Sequence, residues 1–311
     1  MTFVQLEYII AIDTFRHFAT AAEHCYVTQP TLSMQVQKLE NELGIKIFDR
    51  SKQPVIPTEA GAEIIDQARK IISEKSVIGE IIQTKKGLLS GELRIAIIPT
   101  LAPYLLPLFA KSFTKKYPEI KLLVTEVTTE IIVTKLREGK IDAGILVTPL
   151  QENGIKEHVL FYEELLVYVS KKNKAYKKNY MLAQDIDPQK LWLLEEGHCF
   201  RSQIVNLCEL RKASMENSNF NYEAGSIETL SKMVELNDGI TILPELATTY
   251  FSNRQMQLIR HFKYPAPMRE VSVVVHRDFV KQRLVQVLKQ EIISAVPEKM
   301  KKNKNKNVVP L

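Results

Sequence analysis

Residues 18–50 read FATAAEHCYVTQPTLSMQVQKLENELGIKIFDR, and the N-terminal fold turns on them. Phe18, Ala21, Ala22 and Cys25 share one face of a short helix. A turn follows at Tyr26–Val27. Thr28 is a good N-cap, and Pro30 falls in the first turn of the next helix. There Leu32, Val36, Leu39 and Leu43 recur at i, i+4, i+7 and i+11, a single buried stripe that Gly44 ends. Working outward, Leu6, Ile9 and Ile10 mark an earlier helix. Ile45–Phe48 and Pro54–Pro57 flank a polar turn and predict a small β-hairpin, a wing. Gln29, Thr31, Ser33, Gln35 and Lys38 are left facing away from the core. Short polar side chains at the start of such a helix suit the major groove, where Gln pairs with adenine and Ser or Thr bonds bases or phosphates. Arg50, in the wing turn, is placed for backbone phosphate or the minor groove. An ordinary solvated helix face is the competing reading. The order of three helices, cap, wing and long helix weighs against it.

Thr58 caps that long helix, which is expected to run to about Lys86. Ile64, Ala68, Ile71, Lys75, Ile78 and Ile82 step 4-3-4-3-4, a heptad seam with one polar interruption. Packing on its own domain is the alternative to a two-chain seam. Ile65, Ile72 and Ile81 leave more apolar surface than one neighbour covers. Gly87 and Gly91 punctuate a linker.

Beyond it the period changes. Leu93–Ile98, Ile120–Thr125 and Ile141–Val147 are strand-like, with helix-like Pro103–Lys116 and Thr129–Gly139 between them. Such alternation predicts a parallel sheet covered on both faces. Leu165–Ser170 reads as a strand leaving that unit. A second series follows: Leu191–Leu194, a helix near Phe200–Arg211, Phe220–Glu223, a helix from Ser226, and Ile240–Leu243. Val271–Val275 and a helix over Phe279–Ala295 close the region. One series interrupting another suggests two lobes with a cleft, where α/β folds bind ligands.

The expected class is therefore α/β. A winged helix-turn-helix occupies 1–59 and a dimerisation helix 60–90. A two-lobed effector domain fills 91–296 and is expected to resemble the periplasmic binding proteins. Its lobe I takes about 91–165 and 269–296, and lobe II about 166–268. Residues 297–311 read as a basic, disordered tail.

Bulk properties constrain less. The 311 residues are 45% hydrophobic and 25% charged, an ordinary globular balance. The formal charge of +6 invites a nucleic-acid reading, yet residues 1–90 hold 10 basic against 11 acidic groups. The case for DNA must rest on motif geometry. No apolar run spans a bilayer, and the N-terminus lacks a signal-peptide pattern. Cys25, Cys199 and Cys208 are too few for a secreted disulfide framework, so a reducing cytoplasm is expected. The histidines show no spacing suited to zinc, and no metal or cofactor is expected.

The quoted stretch, followed by PTEAG at 57–61, resembles the winged helix-turn-helix head of LysR-type transcriptional regulators. DAGIL (142–146) and GITILP (239–244) sit where that family's effector domain has such turns. The resemblance implies dimers of dimers on double-stranded promoter DNA, with RNA polymerase as protein partner. It implies that Gln29, Pro30, Thr31, Ser33 and Arg50 belong to the DNA-contacting motif.

LLEEGHCFRSQIVNLC (193–208) resembles the peroxide-sensing branch of the family. IPTLAPYLLP (98–107), EVTTE (126–130), YEAGSIETL (222–230) and YPAPMRE (264–270) extend the match. This implies that hydrogen peroxide oxidises Cys199 and that Cys208 resolves it to a disulfide, changing the activation of oxidative-stress genes. Thr100, Thr129, His198 and Arg269 would hold the peroxide. The residues agree: a thiolate at a helix N-terminus is stabilised by the dipole and by a cation such as Arg269 or His198. Thiolate attacks peroxide, and a resolving cysteine is its usual companion. Phe200 adds bulk beside the thiol. One helix over 199–208 would separate the two Cα atoms by roughly 13.5 Å, whereas a disulfide needs about 4.4–6.8 Å. Two buried structural cysteines are the competing reading. Cys25 reads as an inert core residue.

A regulator responding to a small metabolite is the alternative function. A thiol peroxidase or a solute-binding protein gives no reason for the head and heptad helix, so no enzyme is expected.

Overall fold

A computed structural model of the chain describes residues 1–85, 89–195, 199–208, 224–276, 281–301 and 307–310. It divides into two compact units, one built on Met1–Ser90 and one on most of Gly91–Leu311.

In the first unit, α1 (Phe3–Phe15), α2 (Phe18–His24) and α3 (Gln29–Leu43) are followed by β1 (Phe48–Asp49), β2 (Ile56–Pro57) and α4 (Glu59–Lys85). Thr28 caps α3 with Pro30 in its first turn, and Gly44 ends it at φ 71°. β1 and β2 pair antiparallel as the wing, two residues each. Leu32, Val36 and Leu39 are fully buried, whereas Leu43 is 39% exposed. The stripe therefore stops one turn early, and Glu40 takes the next buried place. Its carboxylate accepts from the N–H groups of Ile47 and Phe48, tying α3 to the wing.

Gly61 shows why PTEAG ends in glycine. A Cβ there would stand 2.0 Å from the Ile47 carbonyl oxygen. Thr58 locks the same junction, donating to Lys46 O and accepting from Gly61 N–H. On α4 the seam divides. Ala68 is buried in the head's own core, where Ile64 and Ile71 also pack. Lys75 pairs with Glu7, and Ile78 is 61% exposed. Up to Lys75 the helix packs on its own domain. The side chains of Ile81 and Ile82 lie outside the described residues.

The second unit opens with β3 (Gly91–Ile97), α5 (Ala102–Lys116), β4 (Ile120–Glu126), α6 (Thr129–Arg137) and β5 (Ala143–Thr148). β3 pairs parallel with both β4 and β5, as the alternation predicts. Next come β6 (Ile155–Val169), β7 (Tyr180–Met181), α7 (Cys199–Leu207), α8 (Ile227–Leu236) and β8 (Ile240–Pro244). The rest is α9 (Asn253–Met256), β9 (Ile259–Phe262), β10 (Met268–His276) and α10 (Gln282–Ala295).

The sheet is mixed rather than all parallel. Among the described residues eight strands run β4-β3-β5-β10-β6-β9-β7, with β8 also on β6. β10 is antiparallel to β5 and β6. β6 pairs with β10 through Glu164 and with β8 from Leu165, so one strand serves both parts of the sheet. Its charged residues Lys156, Glu157, Glu163 and Glu164 hid it from an apolar-run reading. Leu191 and Leu194 make isolated bridges rather than a strand. The strand expected at 220–223 lies outside the described residues.

The tail also departs from expectation. Glu298–Met300 is a short 3-10 turn with Met300 buried, and Val309 is buried as well. Residues 307–309 pair with Met268 at the start of β10. Lysine and asparagine dominate the tail's composition, but Met300, Val308 and Val309 are apolar residues that can dock.

Candidate functional site: a thiol, two threonines and a buried arginine

The site is assembled in the second unit from four elements. Thr100 lies in the turn between β3 and α5, Thr129 begins α6, Cys199 begins α7, and Arg269 is the second residue of β10. The Thr129 hydroxyl donates to Cys199 Sγ at 3.5 Å. Arg269 is fully buried. Its Nη1 donates to Thr100 Oγ1 and its Nη2 to the Thr100 carbonyl, both at 3.1 Å. Since Thr100 Oγ1 accepts from arginine, its own proton is left to donate elsewhere. The guanidinium carbon lies 5.1 Å from the centre of the Phe200 ring, a cation–π contact with the residue after the thiol. His198 and Gly197 lie outside the described residues.

Glu163, on β6, was not singled out from the sequence, yet it anchors the arginine. Its Oε1 accepts from Arg269 Nε at 2.8 Å, and its Oε2 accepts from the Leu246 N–H at 2.9 Å. Both side chains are wholly buried. Burial pushes the carboxyl up, while Arg269 and the Leu246 N–H pull it down. The signal available in sequence was a carboxylate inside the apolar run LFYEELLVYV. Tyr104 on α5 donates to Glu228 on α8 at 2.6 Å, tying two of the surrounding helices.

Cys199 is partly accessible and Cys208 likewise, and both are free thiols. Burial pushes the Cys199 thiol up. The Thr129 hydroxyl, the Arg269 charge and the backbone N–H groups of Phe200 and Cys199 pull it back without cancelling the rise. This corrects the expected low-pKa thiolate: the helix end and cation act in the anticipated sense, but desolvation outweighs them. Burial alone lifts Cys208 to about 11. Cys25 is partly buried against the head core, and its thiol is also raised by burial.

A raised thiol sets a pH expectation. Thiolate, the reactive form, is scarce at neutral pH, so Cys199 oxidation should keep climbing with pH above about 8.5, where an ordinary cysteine flattens. Thr129→Val keeps the shape and removes the donor. It should slow oxidation at pH 7 by roughly fivefold, one hydrogen bond of about 1 kcal/mol, and move the pH profile further up. Stopped-flow oxidation across pH checks both. A parental rate and profile for the variant would make Thr129 a packing residue.

In the head, Gln29, Pro30 and Lys38 are exposed, and Thr31, Ser33 and Gln35 are half-buried. Gln35 accepts from Gln5 Nε2, and Thr31 shares a hydroxyl bond with Thr28. Arg50 is less free than its place in the wing turn suggested. It donates to Ser33 Oγ at 3.2 Å and to Glu40 Oε2 at 3.1 Å, and it lies 5.0 Å from the Phe18 ring centre.

A helix-turn-helix unit followed in one chain by an α/β unit with a thiol beside a threonine and a buried arginine is the make-up of a bacterial transcription regulator. Residues 3–62 match the bacterial regulatory helix-turn-helix protein, lysR family, and residues 86–296 match the LysR substrate binding domain. The chain belongs to the LysR family of transcriptional regulators. It is 33% identical over 274 residues to the hydrogen peroxide-inducible genes activator of Haemophilus influenzae, covering 88% of this chain and 90% of that one. A full-length C199D variant of OxyR from Pseudomonas aeruginosa superposes with a TM-score of 0.69 at 33% identity, over 95% of this chain and 99% of that one. A mutant OxyR from Corynebacterium glutamicum with hydrogen peroxide bound gives 0.61 at 26% identity, over 94% and 92%. No helix among the described residues is long and apolar enough to cross a membrane.

Proposed function

We propose that this chain is a peroxide-sensing, DNA-binding transcription regulator, and that Cys199 is its sensor. The observation that carries the reading is the Thr129–Cys199 contact beside the buried Thr100–Arg269–Glu163 chain. Thr100, Thr129, His198 and Arg269 hold the peroxide. The Cys199 thiolate attacks one oxygen and the O–O bond breaks. The leaving hydroxide takes a proton and departs as water, and a sulfenic acid remains. Cys208 then attacks that sulfur, a second water leaves, and the disulfide forms. No metal or cofactor enters either step. One oxidation carries one signal; a peroxidase must also turn over with a reductant, and it would have no use for the DNA-binding head, so the chain acts as a regulator.

The head reads promoter DNA through Gln29, Pro30, Thr31, Ser33, Gln35 and Lys38. Arg50 orients Ser33 as well as facing phosphate. Exposed Ile78 on α4 supports a two-chain seam over 60–90, and pairs of dimers make a homotetramer that contacts RNA polymerase in the cytoplasm. Domain limits at 59, 90 and 296 are part of the same proposal.

The direct test is a brief micromolar peroxide pulse on the purified full chain, followed by thiol alkylation and mass spectrometry. Cys199 and Cys208 should lose two alkylable thiols together while Cys25 keeps its own. Unchanged labelling at Cys199 would return the metabolite reading. For the head, Gln29→Ala should cost about 1–3 kcal/mol on the preferred site and relax base preference there. Equal loss on specific and random duplexes would make Gln29 a backbone contact.

A further inference from the structure

Residues near the C-terminus occupy a place in the sheet that no named strand fills. β5 stops pairing with β10 at Glu270, so the edge of β10 at Met268 is left open by β5 on that side. Residues 307–309 take it. Met268 N–H donates to Asn307 O at 2.9 Å, Val309 N–H donates to Met268 O at 2.8 Å, and Val308 forms a parallel bridge with Met268. Asn307 Nδ2 donates to Pro265 O, and Val309 is buried. This is strand addition to a free edge by the chain's own residues 307–309.

The same segment reaches α7. Gln203, midway between the two site cysteines, is completely buried, and its Nε2 donates to the Val309 carbonyl at 2.8 Å. Its Oε1 has no hydrogen-bond partner among the described residues. The tail carbonyl is thus the partner that satisfies this amide. Without it, α7 would seat a buried glutamine with neither end bonded, an expensive arrangement.

We propose that residues 307–310 are a clamp that holds α7 in its helical, reduced conformation, and that they set how readily the Cys199–Cys208 disulfide closes. The inference rests on the redox reading above for its consequence, but not for the clamp itself. Met268 immediately precedes Arg269, so the tail links the helix that begins at Cys199 to the strand bearing the site arginine. Disulfide closure requires α7 to unwind. While the tail is docked, unwinding must also break the Gln203–Val309 bond and lift Val309 from its seat. Undocking removes that restraint and leaves Gln203 better hydrated than buried. Closure should therefore be faster, and the disulfide harder to reduce, when the tail is absent.

The test uses the full chain, a version ending at Lys306, and Val309→Asp, which keeps the length but sets a carboxylate in a buried contact. Hydrogen exchange of α7 amides in the reduced proteins reads the clamp without any peroxide. Exchange should quicken on the order of tenfold in both variants, the effect of losing about one net hydrogen bond, that of Gln203 to Val309. A synthetic peptide of residues 307–311 added to the truncated protein should slow it again. After a peroxide pulse, sulfenic acid formation at Cys199 should match the parent, because the clamp does not touch the peroxide groups. Disulfide closure should speed up by a similar factor. Parental exchange and parental closure in both variants would overturn the clamp. Faster exchange with no sulfenic acid in any protein would keep the clamp and overturn the peroxide reading instead.

Discussion

Replacing Glu163 by Leu should lower the stability of the second unit by about 3–5 kcal/mol, because it strands a buried guanidinium without its countercharge. A guanidinium does not shed its proton in a protein, so the stranded charge has no escape. Thr100 supplies two oxygens and Phe200 a ring face, but neither is an anion. The Leu246 N–H would also lose its acceptor. Denaturant unfolding, followed by a probe in the second unit, reads the loss. A Glu163→Leu/Arg269→Met double variant separates charge burial from packing, since removing both partners of a buried pair is often near neutral. The double variant should regain most of the lost stability and still oxidise slowly at Cys199, because the charge that pulls its thiol down is gone. A double variant as unstable as the single one would mean that shape, not charge, is what Glu163 supplies. Parental oxidation in the stable double variant would remove Arg269 from the chemistry.

The helix-turn-helix was legible because its signals are local. A cap at Thr28, a proline at 30, a stop at Gly44 and an apolar period each act within a turn or two of chain. The first error there, Leu43, arose where a tertiary need overrode the period: Glu40 turned inward to bond the wing's N–H groups. In the second unit the βα alternation of residues 91–148 was equally readable, since each element carries its own pattern. β6 was not. It is long, shared by both parts of the sheet, and charged where it passes the site, so no window of sequence shows it as one strand. The cysteines and threonines were found by motif, but Glu163 was not, because a carboxylate in a strand has no meaning until the arginine it faces is known. The terminus failed for a similar reason. Lysine and asparagine dominate its composition, while its docking depends on an edge of β10 left open by the end of β5.

Cys208→Ser should trap the oxidised protein as a sulfenic acid at Cys199 with α7 still helical. The helix is continuous from Cys199 to Leu207, and the Cys208 N–H still bonds the Ile204 carbonyl at 3.0 Å. Nine residues at about 1.5 Å each separate the two Cα atoms by roughly 13.5 Å, and a disulfide tolerates no more than about 6.8 Å. The bond therefore cannot form within the observed helix. Phe200, Gln203 and Ile204 are fully buried, so unwinding must withdraw packed side chains and expose the ring that lies against Arg269. Oxidation to the sulfenic acid adds one oxygen at the first residue of the helix and asks for none of this. Two forms of one oxidised cysteine should then differ sharply in hydrogen exchange. The parent after a peroxide pulse should lose protection across residues 199–208, while Cys208→Ser treated alike should stay near the reduced pattern. Footprints on promoter DNA should follow exchange rather than oxidation, changing for the parent and not for the variant. If the trapped sulfenic acid alone shifts the footprint, the signal comes from oxygen at Cys199, and the disulfide protects the thiol rather than switching the protein.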